Sequence, residues 1–434
     1  MRVKRLEIAL MLALLPLYGQ AQDVPTDEGE QQALQQAEER ADAQEQAAKV
    51  PLEEIRRYVT VYNAVKQAYV DPVDDHKLMQ AAIRGLLLDL DPHSAYMEKG
   101  DAEQFDEQTR GSYDGVGVEL EQQSDGALRV VAPLDGSPAD RAGLRSGDRI
   151  IGIDGKLLGA GQGDGSAPLR GKAGTPVVVK IVRAGVREPF DVTLVRETIR
   201  ATSVRSKLLA PGFGYVRISS FQTSTATDFA KQVDALQKTA PLRGLVLDLR
   251  SNPGGLLLGA VQIADELLNS GNIVSTRGRE ALGNSQFEAT PGDKLNGAPV
   301  VALVDAGSAS AAEVLAGALR DNKRAVLMGS RTFGKGSVQT LLPLDNGDSV
   351  KLTTARYYTP NGHSIQALGI KPDIVLHPDG AQRRPAPISE SELPGHLAAE
   401  NGSATEVEKI GEVLPGQGPI DAALMELKKR AKAQ

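Results

Sequence analysis

Gly244-Leu-Val-Leu-Asp-Leu-Arg250, followed by Ser251-Asn-Pro-Gly-Gly255 and an apolar run from Leu256 to Leu268, is the stretch on which the fold turns. A short, nearly continuous apolar segment bounded by turn residues reads as a strand buried on both faces. The paired glycines make a tight turn, and the longer run after them reads as a helix. The same rhythm precedes and follows it. Gly214-Tyr-Val-Arg-Ile218 is a strand and Ala226 to Leu236 a helix; Pro299-Val-Val-Ala-Leu-Val304 is a strand and Ala311 to Leu319 a helix. Strands alternating with helices specify an α/β fold, a mainly parallel sheet covered by helices. This region runs over residues 213–376.

Working outward, residues 113–196 change to glycine-punctuated strands. Gly115-Val116-Gly117-Val118 turns into one strand, and Leu128 to Ala132 forms another. Ser137-Pro138 opens a short capped helix, with serine as N-cap and proline at the first helical position. Strands over 148–155, 177–183 and 190–195 complete a small β-rich module. A glycine turn ahead of a strand can capture a terminal carboxylate with its amides while the strand edge pairs with an extended peptide. An ordinary hairpin with a structural glycine gives the same sequence. Upstream, residues 51–104 show helical spacing, with Ile55, Val59, Tyr62 and Val65 on one stripe and a second helix from His76 to Leu90, ended by Asp91-Pro92. Residues 22–50 are polar and read as a linker or helix. After residue 380 come a Pro-, Ser- and Glu-rich linker and a short amphipathic helix, Ile420 to Lys432.

The first residues set the compartment. Arg2, Lys4 and Arg5 precede an apolar Ile8 to Leu17, and Gly19-Gln20-Ala21 offers small residues for a signal peptidase. That pattern reads as a cleaved signal peptide over 1–21 and an exported, periplasmic protein, with no integral membrane segment in the mature chain. The 434 residues carry a net charge of −7, which gives no basic face for nucleic acid by default. There is no cysteine, so disulfides, thiolate nucleophiles and cysteine metal sites are excluded. The five histidines form no zinc-protease pair, and no metal or other cofactor is expected.

Three constellations carry chemistry. Ser308-Ala-Ser310-Ala311-Ala312-Glu313 lies where a buried strand meets a helix. Small residues there let a hydroxyl sit at a sharp turn with amides facing the same space, as a nucleophile requires. Alone, the serine reads equally as a helix cap. Phe333-Gly334-Lys335-Gly336 puts a lysine between two glycines, which points to close backbone approach. Burial would favour its neutral form, and a neutral lysine can deprotonate a serine. Gln339, four residues on, would share its strand face. Gly254-Gly255 opens a helix and can present amides to an oxyanion or simply make a turn. Gly329 to Lys335 also fits the start of a phosphate-binding loop, but Gly336 stands where that loop needs serine or threonine.

From about Tyr58 to Asp379 the chain resembles the C-terminal processing peptidases, the tail-specific proteases of peptidase family S41. The resemblance rests on Leu90-Asp-Pro-His-Ser94, the PDZ segment, Arg250-Ser-Asn-Pro-Gly-Gly255, Ser308 to Glu313, Thr332 to Gly336 and Tyr357-Tyr-Thr-Pro-Asn-Gly362. It implies a PDZ domain over 105–196 inserted in a crotonase-like protease core over 197–380. The family nucleophile lies 25 residues ahead of its catalytic lysine, which selects Ser310 with Lys335. Gln339 takes the supporting position and Asp321 that of a supporting acid. The amide of Ala311 and one from Gly254 or Gly255 would form the oxyanion hole. Gly115 to Val118 would form the carboxylate loop of the PDZ domain, and Arg170 would link that domain to the core. Ala312 departs from members that carry serine there. The family further implies protein substrates with exposed C-termini, self-association into a homo-oligomer and an adaptor or activator protein. A non-catalytic PDZ scaffold is the rival reading, opposed by the complete set Ser310, Lys335 and Gln339. A crotonase-like hydrolase or lyase is the third.

Overall fold

The computed structural model describes residues 50–160, 164–279, 283–378, 388–400 and 411–433. The expected signal peptide and nearly all of the polar segment after it lie outside the described residues. Contacts divide the chain into residues 1–81 and 82–434. In the first unit, helix Leu52–Ala68 runs antiparallel in sequence to the start of helix Asp75–Leu88, joined by Tyr58 Oη to Met79 Sδ at 3.0 Å and by Lys66 to Asp75 at 2.6 Å. None of the Leu52–Ala68 residues is buried.

The second unit is built on a six-stranded sheet in the order Val204–Ala210, Phe213–Ile218, Gly244–Asp248, Val300–Val304, Ala325–Gly329 and Ile374–Val375. The first pair is antiparallel and all later pairs are parallel. The two central strands, Gly244–Asp248 and Val300–Val304, are buried at every position, as their apolar runs require. One face is covered by helices Thr225–Gln237, Leu257–Leu267 and Ala311–Asp321, whose Phe229, Ile263, Leu267 and Leu315 are fully buried. The opposite face meets the C-terminal helix Gly418–Ala433 through Ile420, Ala423 and Leu427. A methyl group at Gly244 would lie 2.8 Å from the Leu427 side chain, so the strand admits this helix only because residue 244 is glycine.

A second, five-stranded sheet is wholly antiparallel and was not legible as such. Ser349–Tyr358 is its hub, pairing with Ala95–Met97, Asn272–Gly278 and Ser337–Pro343, while Ser285–Glu288 pairs with Asn272–Gly278. The mainly parallel description therefore holds for one sheet of the core and not the other. The β-rich module forms its own six-stranded sheet between Val118 and Val195 around buried Val130, Ile150, Val179 and Leu194. It is entered and left through a two-stranded ribbon, Ser112–Gly115 against Glu197–Arg200.

The residues after 380 differ from the linker expected there. Within 388–400, Glu390 is fully buried and its amide bonds the Phe333 carbonyl at 3.1 Å. Further on, Leu414 donates its amide to Asp305, and Arg250 reaches the Leu414 carbonyl at 2.6 Å. Proline and glutamate made the composition look unfoldable, but a glutamate can be buried when it is fully paired.

Candidate active site

Two turns leave the central strands side by side and are stitched together. The Ser251 amide bonds Asp305 Oδ1 at 2.7 Å, the Ala309 amide bonds the Asn252 carbonyl at 2.9 Å, and Ser308 Oγ bonds the Leu249 carbonyl at 2.8 Å. Ser308 Oγ also accepts from the Asp305 amide at 2.9 Å. Its hydroxyl is therefore committed to the backbone in a fully buried place.

Ser310 precedes helix Ala311–Asp321 with φ 53 and ψ −118. A non-glycine residue with positive φ costs about 1–3 kcal/mol and needs surroundings that impose it. Glu313 imposes it. This fully buried carboxylate accepts the Ser310 amide at 2.9 Å, the Lys335 amide at 2.9 Å, the Gly334 amide at 2.8 Å and the Thr332 hydroxyl at 2.5 Å. Four donors satisfy its four lone-pair positions. Burial nevertheless pushes its pKa up to about 7, against the pull of those bonds. Glu313 thus fixes the serine turn and the lysine loop to one anchor. The sequence shows it only as the last residue of a Ser-x-x-Glu spacing, the mark of a capping box.

Lys335 is partly buried, and burial is the largest cause holding its amine below the ordinary lysine range. The charge of Lys351 adds to this, while Glu390, Asp91 and Glu313 oppose it. Ser310 is nearly buried, and its hydroxyl bonds the side chain of Tyr357. Burial pushes the Tyr357 phenol up to about 12, with the Ser310 bond opposing, so it stays protonated through neutral pH and cannot act as a base there. Among the described residues the Lys335 amine takes no hydrogen bond from or to Ser310.

Gln339 donates from Nε2 to Ser337 Oγ at 3.0 Å and to Thr353 Oγ1 at 3.2 Å. Thr353 in turn bonds Asp91, which also holds Ser94 Oγ at 2.7 Å. The shared strand face expected from a period of two is broken by a bulge between Val338 and Gln339. Lys335 precedes this strand, Ser337–Pro343, and the hydrogen bonds of Gln339 stay with Ser337 and Thr353.

Gly254 packs on the turn at Ser310: a methyl group there would lie 2.8 Å from Ser310 Cβ and 3.1 Å from the Ala311 nitrogen. Its own amide is engaged by Asn252 Oδ1 at 2.9 Å, and buried Asn252 is held by the Ile218 carbonyl. The amides of Ala311 and Gly255 take no partner among the described residues. Gly255 is clasped against Phe221, where a methyl group would meet the carbonyl at 2.1 Å. Asp321 sits at the opposite end of the Ser310 helix, about 16 Å along it at 1.5 Å per residue, bonded to Arg320. The structure does not bring it to Ser310 or Lys335.

In the β-rich module, Val116 is buried and Gly117 adopts φ 70, with its carbonyl taking Ser137 Oγ at 2.8 Å. Gly115 ends the ribbon strand and Val118 begins the next. Arg170 pairs with Glu107 and lies 4.9 Å over the Tyr113 ring, at the entrance of the module rather than against the serine and lysine. Among the described residues there is no cluster of side chains able to hold a metal ion and no helix long and apolar enough to cross a membrane.

Residues 212–376 match peptidase family S41, residues 129–183 a PDZ domain, and residues 10–101 the activating protease CtpB N-terminal domain. The chain is 41% identical over 357 residues to a carboxy-terminal-processing protease of Bartonella bacilliformis, covering 81% of this chain and 82% of that one. It is 37% identical to the carboxy-terminal processing protease CtpA of Bacillus subtilis, covering 74% of this chain and 69% of the relative. Among solved structures, the photosystem II D1 C-terminal processing protease matches at 32% identity over 74% of this chain and 92% of its own, with a TM-score of 0.43.

Proposed function

We propose, for a chain that belongs to the carboxy-terminal processing proteases of peptidase family S41, that Ser310 and Lys335 form the catalytic dyad of a serine endopeptidase. The observation that carries this is the shared anchor: one buried carboxylate, Glu313, holds the amides of both residues. Nothing in a simple helix cap requires the lysine loop to be bound to the same group.

In this reading neutral Lys335 takes the proton from Ser310 Oγ as the oxygen attacks the scissile carbonyl. The amides of Ala311 and Gly255 receive the negative charge on the carbonyl oxygen. Lys335 then returns its proton to the departing amine, leaving an acyl-serine that water hydrolyses by the same steps. Both Nε2 hydrogens of Gln339 are taken, which leaves its carbonyl oxygen to orient the amine. The bond between Ser310 and Tyr357 is the resting arrangement, and Ser310 exchanges Tyr357 for Lys335 on activation. The PDZ domain, with its Gly115–Val118 loop, binds substrate C-termini, and Arg170 couples it to Glu107 at its entrance. Asp321 supports the far end of the helix and has no part in proton transfer. The core has the crotonase-like arrangement, and the chemistry needs no cofactor. The protein works in the periplasm after losing residues 1–21, as a homo-oligomer with an adaptor or activator.

The test is cleavage of an unstructured protein with an apolar tail by wild type, Ser310→Ala and Lys335→Ala, with and without periplasmic extract. Wild type cleaves, and both variants lose about three orders of magnitude or more in rate. Undiminished cleavage by Ser310→Ala would end this reading.

A further inference from the structure

The segment 388–400 brackets the lysine loop on both sides of Lys335. Upstream, the Glu390 amide donates to the carbonyl of Phe333 at 3.1 Å. Downstream, Glu390 Oε1 accepts Gln366 Nε2 at 2.9 Å, and Gln366 Oε1 accepts the Gly336 amide at 3.0 Å. Gly336 is glycine because a methyl group there would lie 2.3 Å from the Gln366 nitrogen. The other carboxylate oxygen of Glu390 meets His93 Nε2 at 2.8 Å. Gln366 Nε2 also donates to the Leu397 carbonyl at 3.0 Å, and Arg356 to that of Ala398 at 2.9 Å, which fixes the rest of the segment.

A carboxylate with a side chain only 1% exposed is costly to bury and is retained where it is paired. Its partners here come from three distant stretches: His93, the loop at Gln366, and the backbone around Lys335. A surface linker that merely lay on the core would need none of them.

We propose that Glu390 is a positioning residue for Lys335, and that docking of residues 388–400 completes the lysine side of the active site. This rests on the reading of Lys335 as the general base. The charged groups facing Lys335 are Lys351 on the adjacent strand, Asp91 before the first strand, Glu313 on the serine helix and Glu390 itself, with His93 facing Glu390. Glu390 stays ionised: burial raises its pKa, but His93 and Gln366 outweigh this and hold it below the ordinary glutamate value. Its negative charge therefore favours the protonated form of Lys335. Removing the charge lowers the pH at which Lys335 becomes the neutral base.

The experiment uses the full chain as wild type, Glu390→Gln, Glu390→Ala and Lys335→Ala. It records kcat and KM for cleavage of the apolar-tailed protein across pH, and the melting temperature of each. Lys335→Ala reports on the dyad independently: if it retains activity, the base assignment fails whatever Glu390 does. With Lys335→Ala inactive, Glu390→Gln should shift the acid limb of kcat/KM to lower pH. Glu390→Ala should lower kcat about tenfold or more with KM little changed. Two results overturn the proposal. One is wild-type kcat and an unmoved acid limb in both variants. The other is a loss of activity that follows only the folded fraction, with the acid limb in place, which would make Glu390 a structural residue alone.

Discussion

At the scale of single residues, two serines two positions apart were separated by what their hydroxyls do. The family resemblance selects Ser310 through its offset from the lysine, and in the structure Ser308 Oγ is spent on Leu249 and Asp305. Gly254 is the sharper test of this geometry. It combines φ +98 with a methyl position 2.8 Å from Ser310 Cβ and from the Ala309 carbonyl oxygen. Gly254→Ala must push the nucleophile turn aside, and a displacement near 1 Å costs about 10²-fold in rate. We expect kcat to fall by that order while the circular dichroism spectrum stays native. Unchanged kcat would show that the turn has slack. Sequence reading reached Gly254 and Gly255 as oxyanion candidates but not their division of labour. The amide of Gly254 goes to Asn252, a choice made by one buried side chain and invisible in the order of residues.

Elements are held by groups whose role a pattern does not reveal. The helix after Ser310 was legible from its apolar spacing, but Glu313 inside it looked like one half of a helix cap. Its carboxylate also binds the lysine loop 21 and 22 residues on. Glu313→Gln replaces one acceptor oxygen with a donor that faces backbone amides, and each amide left unpaired costs about 1–3 kcal/mol. Chemical denaturation at pH 7 should show a loss of that order. The pH dependence follows from the sign of the shift. Burial raises the Glu313 pKa from 4.5 to about 7 in the fold, so in the window between those values the native state takes up a proton that the unfolded chain has lost, while above about 7 it is the four-fold acceptor described above. Wild-type stability from this group is complete below about 4.5 and declines as pH rises through about 7. The difference in stability between wild type and Glu313→Gln should therefore shrink from pH 4.5 to 7; a difference that grows would show that Glu313 is held ionised. The antiparallel sheet around Ser349–Tyr358 was missed for another reason. Its strands carry mixed burial and pair across long separations, so no local period announces them.

Over the whole molecule, the sequence disclosed the α/β core and the β-rich insertion because each has its own period. It hid the C-terminal contribution. Residues read as linker bury Glu390, and a helix read only as short and amphipathic covers one face of the central sheet through Ala423 and Leu427. Composition cannot distinguish a free polar segment from one whose charges are paired at a distance. The PDZ insertion makes a prediction at this scale. A methyl group on Gly117 would lie 2.4 Å from Ser137 Cβ, at φ +70. Gly117→Ala should deform the carboxylate loop and raise KM for an apolar-tailed protein about tenfold, equivalent to about 1.4 kcal/mol of binding. Cleavage of a short peptide that does not engage the domain should be unchanged. Equal loss on both substrates would mean that the domain acts on the dyad and not only on the tail.

The central claim is that Ser310 becomes the acylated residue and that Lys335 makes it so. Its most direct measurement is peptide mapping by mass spectrometry after the full-length protein reacts with a fluorophosphonate, in wild type and Lys335→Ala. The account predicts one adduct on Ser310 in wild type and little or none in Lys335→Ala. An active wild-type protease whose adduct lies on another residue, or whose Ser310 is labelled as fast without Lys335, would contradict it.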